Sequence, residues 1–171
     1  MQDYNGRIKP MSTEAMDVLH KISGKDSMLG LSSEQILLGI FADPVTWDQV
    51  PLIKIKNKEL KKVLSVDISQ NYISFSQIFD ENGVYKLKEQ INEANAKAPS
   101  QRGTFDKDII KLDERLNIFY MASKGFFNKF IPKPNDASNT WYNPQDALMQ
   151  PWMDDDTVSY THLTLPTKRI V

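Results

Sequence analysis

The side chains in this sequence that could do chemistry are few and scattered. His20 could ligate a metal or a haem iron, but it sits beside Leu19 on an amphipathic helical pattern, where a partly exposed structural histidine is the better reading. A zinc centre needs several His or Cys ligands; the chain has no cysteine, and its other histidine, His162, lies in a C-terminal tail of different character. The acidic runs "DDD" (154–156) and "DERL" (113–116) offer carboxylates. A calcium loop needs oxygen ligands at alternating positions and a glycine turn, and neither run has that spacing. Both read as solvated surface, with Asp113, Glu114 and Arg115 in helix-surface ion pairs. Arg7 and Lys9 beside Gly6 could grip a carboxylate such as a haem propionate, and could equally anchor a turn or pair with a neighbouring domain. Hydroxyl nucleophiles lack their templates: no G-x-S-x-G and no S-x-x-K occurs, and the seven glycines are scattered singly, which leaves no phosphate loop. The seven methionines read as core filling, although a thioether is chemically able to ligate haem. No residue is therefore assigned a catalytic, cofactor-binding or metal-binding role.

Composition frames those candidates. The 171 residues are 40% hydrophobic and 25% charged, enough for one folded domain with its own core. A net charge of −1 predicts no polyanion binding, and the Lys-rich "KIKNKELKK" (54–62) reads as the solvated face of a short helix. The absence of cysteine excludes disulfides and Cys nucleophiles while leaving the compartment open. The longest strongly apolar run, "ILLGIFA" (36–42), falls far short of the roughly 20 residues that span a bilayer, and no basic-then-apolar leader precedes it.

The elements that must position these residues are mostly helical. Ala15, Val18, Leu19 and Ile22 recur at helical spacing, so a first helix is expected from about Ser12, its cap, to Ser23, with Gly24 closing it. Ser32 followed by Gln35 is a capping-box pattern that opens a second helix, apolar nearly all round and stopped at Asp43-Pro44. Asp43 then caps one short helical turn. "LIKIK" (52–56) and "YISFSQIF" (72–79) read as strands able to pair, around a short helix over 57–64. A polar helix over 85–98 and a loop over 98–104 lead to the longest predicted helix, from Phe105 to Ile131 after Thr104 as cap, with Gly125 placed to bend or shorten it. The Pro- and Asn-rich 131–152 stretch reads as irregular. The expected fold class is mainly α: a small irregular helical domain with room for one short two-stranded β pair.

The tail 157–171 is β-branched and without acids, directly after an acidic run. Its segment "VSYTHLTLPT" (158–167) resembles a translated transposon-end sequencing adapter, so natural sequence is expected to end near Asp156. Without Lys168 and Arg169 the chain carries 19 basic and 22 acidic residues, a net charge of −3, and His20 is its one histidine.

The opening stretch "QDYNGRIKPMSTEAMDVLHKISGK" (2–25) resembles a segment of fused system II cytochrome c biogenesis proteins of the ResB and CcsA type. The matching residues are Gln2, Asp3, Gly6, Arg7, Ile8, Lys9, Pro10 and Thr13. "LGI", "P", "W" and "VPLIKI" (38–55), "FDKDIIKLDERLNIFYM" (105–121), and "IPKPND" with "WY" (131–142) follow in the same order. The resemblance implies an extracytoplasmic (periplasmic) segment of a membrane protein that exports haem and attaches it to apocytochrome c. Patterning, composition and the adapter-like tail together predict a helical domain over 1–131, an irregular Pro/Asn-rich segment over 132–156 and a non-native tail over 157–171. Neither the tryptophan-rich haem motif nor the flanking histidines of that family occur here, so no haem ligand is carried over and no cofactor is expected in this chain itself. Met1 then reads as internal rather than as a natural start, with sequence continuing on both sides.

The function expected on that basis is a structural or docking domain, not itself catalytic, whose partners are the rest of its parent membrane protein and apocytochrome c. No nucleic acid and no membrane span of its own are expected. The alternative is a free-standing soluble helical adaptor that binds a protein partner. A soluble hydrolase or metal enzyme ranks last, for want of the required residue pairs.

Overall fold

The computed structural model describes residues 1–3 and 6–151; the acidic run 154–156, His162 and the adapter-like tail lie outside them. The fold is mainly α, with three small two-stranded antiparallel sheets among the described residues. In chain order the elements are α1 (Met11–Ser23), β1 (Ser27–Met28), β2 (Leu31–Ser32), α2 (Ser33–Ala42), α3 (Pro44–Trp47), β3 (Ile53–Lys54), α4 (Lys58–Val63), β4 (Tyr72–Ile73), α5 (Lys88–Ala96), α6 (Thr104–Ser123), β5 (Ile131–Pro132), β6 (Trp141–Tyr142) and α7 (Pro144–Leu148). Short 3-10 turns lie at Ser76–Ile78 and Pro99–Gln101. The sheets pair β1 with β2, β3 with β4 and β5 with β6.

Two compact units result. The larger is Pro10–Lys124; the smaller joins Met1–Lys9 to the described residues from Gly125 onward. In the larger unit α1 packs on α2 and α6, and α5 on α6. Its core takes Ala15, Val18, Leu19 and Ile22 from α1, Ile36, Leu37 and Ile40 from α2, and Ile109, Leu112, Leu116 and Phe119 from α6. Each aliphatic side chain removed from water contributes on the order of 1.5–3 kcal/mol. Phe75 stacks on Phe119 with ring centres 5.1 Å apart, which fastens the segment after β4 to α6.

The local reasons are visible in the caps. Ser32 accepts from the Gln35 amide while the Gln35 side chain takes the Ser32 amide, the expected capping box. Helix α1 begins one residue early, after Pro10 and without a side-chain cap, so Ser12 lies inside it; Gly24, at φ +70°, closes it by donating to the His20 carbonyl. Helix α2 buries one face only, with Leu38 left exposed. Asp43 caps α3 through the Thr46 amide. The expected strand pair is β3–β4, in register Ile53 to Ile73 and Lys54 to Tyr72.

Helix α6 differs most from expectation. Thr104 is its first residue rather than its cap; the Gly103 amide is taken instead by Asp106 Oδ2 at 2.9 Å. The helix ends at Ser123 and Gly125 follows at φ +73°, so Phe126, Phe127 and Phe130 lie beyond it, Phe126 and Phe130 exposed.

In the smaller unit, Gln2 gathers the chain. Its amide donates to the Lys129 carbonyl, its Oε1 accepts from the Trp141 amide, and its Nε2 reaches the carbonyls of Gly6 and Asn139. The β5–β6 loop is organised by Asp136, whose carboxylate accepts from the Ser138 and Thr140 amides and the Ser138 hydroxyl. Those bonds hold its carboxyl far below the usual carboxylate range.

Candidate functional site

Strand β3 alternates in burial: Ile53 and Ile55 point into the core, and Lys54 between them emerges half-buried toward solvent. Helix α6 passes alongside. Its Asp108, Lys111, Leu112, Arg115 and Ile118 recur at spacings of three and four, which puts them on one stripe of the helix. The Arg115 guanidinium locks the two elements together, donating from Nη1 to the Lys54 carbonyl at 2.7 Å. The result is two adjoining hollows in the larger unit. One is framed by Lys56, Asn57, Leu60 and Asp108, the other by His20, Lys21, Gly24, Glu114 and Ile118. Lys54, Lys111 and Arg115 line both. The hollows are therefore one open cleft with cations at its centre.

Its walls are built by local rules. Asn57 caps α4 by accepting from the Glu59 and Leu60 amides, and its free amide group donates to Asp108 Oδ2 at 2.8 Å. One of the two acids in the cleft is thus held by the wall itself. At the other end, Lys54 lies across the C-terminus of α1: a methyl group on Gly24 would come within 2.6 Å of Lys54 Nζ. That end of a helix carries partial negative charge, which favours an ammonium group there.

Charge in the cleft is uncompensated. Among the described residues the ammonium groups of Lys21, Lys54, Lys56 and Lys111 make no hydrogen bond or ion pair, and Arg115 Nε is buried without a partner. Burial first, then repulsion from Lys56, Arg115, Lys25 and Lys111, pushes the Lys54 amine below the ordinary lysine value. Burial likewise lowers Arg115, against the attraction of Asp108 and Glu114. The cleft can accept negative charge. It holds no nucleophile with an adjacent base, and among the described residues no three His, Cys, Asp or Glu side chains assemble to hold a metal ion.

Most residues singled out in the sequence lie elsewhere. Arg7 and Lys9 approach Asp3 Oδ2 at 3.4 and 3.6 Å, and Asp3 Oδ1 accepts the Arg7 amide, so the pair anchors the turn at Gly6, which adopts φ +80°. His20 borders the cleft, exposed and bonded through Nδ1 to Asp26 at 2.8 Å. Among the described residues Asp113 and Arg115 form no surface ion pairs: Asp113 accepts from the Tyr85 hydroxyl and from Asn117, and Arg115 serves β3. The Lys-rich run is only partly a solvated face. Lys54 and Lys56 line the cleft, and Lys61 is buried, donating to the Ile68 carbonyl at 2.8 Å and to Asn71. No sequence motif marks the cleft; the signal that finds it is the lysine at the outward position of "IKI" facing the basic stripe of α6.

No helix among the described residues is long and apolar enough to cross a membrane. No family model matches the chain. The chain is similar to Protein NrfI of Wolinella succinogenes, with 39% identity over 148 residues, covering 86% of this chain. It spans 16% of that relative's length. These findings correct the resemblance drawn from the sequence: the similarity found is to Protein NrfI, with no match to a ResB/CcsA-type family model, so the assignment to a fused system II protein of the ResB and CcsA type does not stand. Short colinear motifs such as "GRIKP" and "WY" are a turn and a two-residue strand, too little to separate one family from another.

Proposed function

We propose that this chain serves cytochrome c maturation as a docking domain, working outside the cytoplasm with the machinery that attaches haem to apocytochrome c. The observation that carries the reading is the 39% identity to Protein NrfI, sustained over 148 residues rather than confined to one motif. The architecture agrees with docking more than with catalysis. It presents an open cationic cleft on a firm helical scaffold, and its polar clusters at Asp3, Asp136 and Asn57 hold backbone in place. Haem chemistry belongs to partners in this reading.

The test is a chimera in Wolinella succinogenes, in which the matched stretch of Protein NrfI is replaced by the corresponding residues of this chain. The expected result is haem-staining c-type cytochromes at a large fraction of the level that unaltered Protein NrfI supports. A chimera that accumulates normally, beside an unaltered protein that supports those cytochromes when the chimera does not, overturns the reading.

A further inference from the structure

The cationic cleft carries an inference of its own. Five cations line the cleft, Lys54 and Arg115 half-buried and Lys21, Lys56 and Lys111 exposed, beside only two acids, Asp108 and Glu114, and Asp108 is already engaged by Asn57. The chain as a whole carries a net charge of −1, so the local excess does not follow from composition. Like charges gathered at one place repel, and such an arrangement is relieved by a bound anion. The shape narrows the class of anion. Small-molecule sites are concave and enclose most of the ligand. This cleft is open, and it runs along α6 from Asp108 to Ile118. Ten residues of helix rise about 15 Å, the length of four to five residues of extended chain at about 3.3 Å each. Apolar floor from Ile55, Leu60, Leu112 and Ile118 lies between the charged groups.

We propose that the cleft binds an extended acidic peptide segment of a partner protein, with Lys54, Lys111 and Arg115 taking carboxylates at the shared centre and Lys21 and Lys56 taking those at the two ends. Arg115 commits Nη1 to the Lys54 carbonyl and buries Nε, which leaves Nη2 for the ligand. Glu114, at the rim, sets the register by repelling an acidic side chain placed opposite it.

The experiment uses the full chain and fluorescein-labelled hexaglutamate, followed by anisotropy, with amide chemical shifts read in parallel. Saturable binding is expected, weakening about fivefold or more as salt rises from about 50 to about 300 mM. Shift changes should concentrate at residues 20–25, 54–57 and 108–118. The double variant Lys54→Gln with Lys111→Gln should weaken binding about tenfold at unchanged thermal stability, whereas Lys62→Gln with Lys88→Gln, which do not line the cleft, should change it less than about twofold. Absence of binding at low salt, equal losses in both double variants, or shifts that map elsewhere overturns the inference. Displacement of the peptide by inorganic phosphate or citrate at matching concentration would overturn it in favour of a small-anion site. The wild-type shift map decides the matter even where a variant fails to fold. Failure here leaves the maturation reading intact, because the chimera tests that separately.

Discussion

Single residues in this chain carry more structural duty than their types suggest, and Asp106 is the clearest case. It receives the Gly103 amide at the start of α6 and the Lys97 ammonium at 2.8 and 3.0 Å, tying the end of α5 to the start of α6. The Lys97 contact first, and the Gly103 amide next, hold its carboxyl below the ordinary value of 3.8. A carboxyl with a lowered folded value binds protons less readily when folded than when unfolded. Its stabilisation is therefore complete above about pH 3.8 and is lost as pH falls through the lower folded value. Asp106→Asn should lower the denaturation midpoint at neutral pH and flatten the decline below about pH 4. A variant whose acid limb matches the parent would show that the bonds contribute nothing. Lys61 teaches the reverse lesson. Its lysine type pointed outward in the sequence, yet the backbone of the 64–71 loop needed a donor, and burial of its ammonium follows from that unmet carbonyl.

At the scale of elements, the legible features were those with a local chemical cause. The Ser32–Gln35 box, the Gly24 stop, the Asp43 cap and the β3–β4 pair were all readable, because each is decided within a few residues or by simple alternation. The β1–β2 hairpin was not. Its two-residue turn places Leu29 at φ +57° and Gly30 at φ +74°, and turns of that kind announce themselves through Asn-Gly or Asp-Gly rather than Leu-Gly. The end of α6 is not legible because apolar spacing continues through Phe126 and Phe130, while one glycine in the left-handed region stops the helix regardless. Gly39 offers a test of element packing. An exposed helical glycine replaced by alanine ordinarily gains about 0.5–1 kcal/mol. Here a methyl group would come within 2.6 Å of the Trp47 indole. Gly39→Ala should instead cost about 1–3 kcal/mol by overpacking. Adding Trp47→Leu should recover part of that loss, and denaturation of the four chains in a double-mutant cycle measures the coupling. Independent, additive effects would remove Trp47 as the reason for glycine at this position.

The molecule as a whole divides unevenly, and that division was the least legible feature of all. Sequence placed a boundary near residue 131 because proline and asparagine accumulate there; contacts place Met1–Lys9 with the chain after Gly125. A pairing between the two ends of a chain is non-local, set by hydrogen bonds such as those of Gln2 with Lys129 and Trp141, and no window of sequence contains it. The cleft was hidden for the same reason, since "KIK" and the α6 stripe meet only in the fold. Energetically the two units differ sharply. Nearly the whole apolar core, from Ala15 to Ala122, belongs to Pro10–Lys124. Among the described residues of the smaller unit, Ala147 is the one fully buried apolar side chain, while Ile8, Phe126, Phe130, Leu148 and Met149 are exposed. Since burial of apolar area is the dominant favourable contribution to folding, residues 10–124 hold what a cooperative transition requires. That stretch expressed alone should unfold in one transition within about 5 °C of the main transition of the full chain. Trp47 is its single tryptophan, so fluorescence reports it without interference from Trp141 or Trp152. A broad, non-cooperative melt of residues 10–124 would mean that this buried core does not stand without the smaller unit.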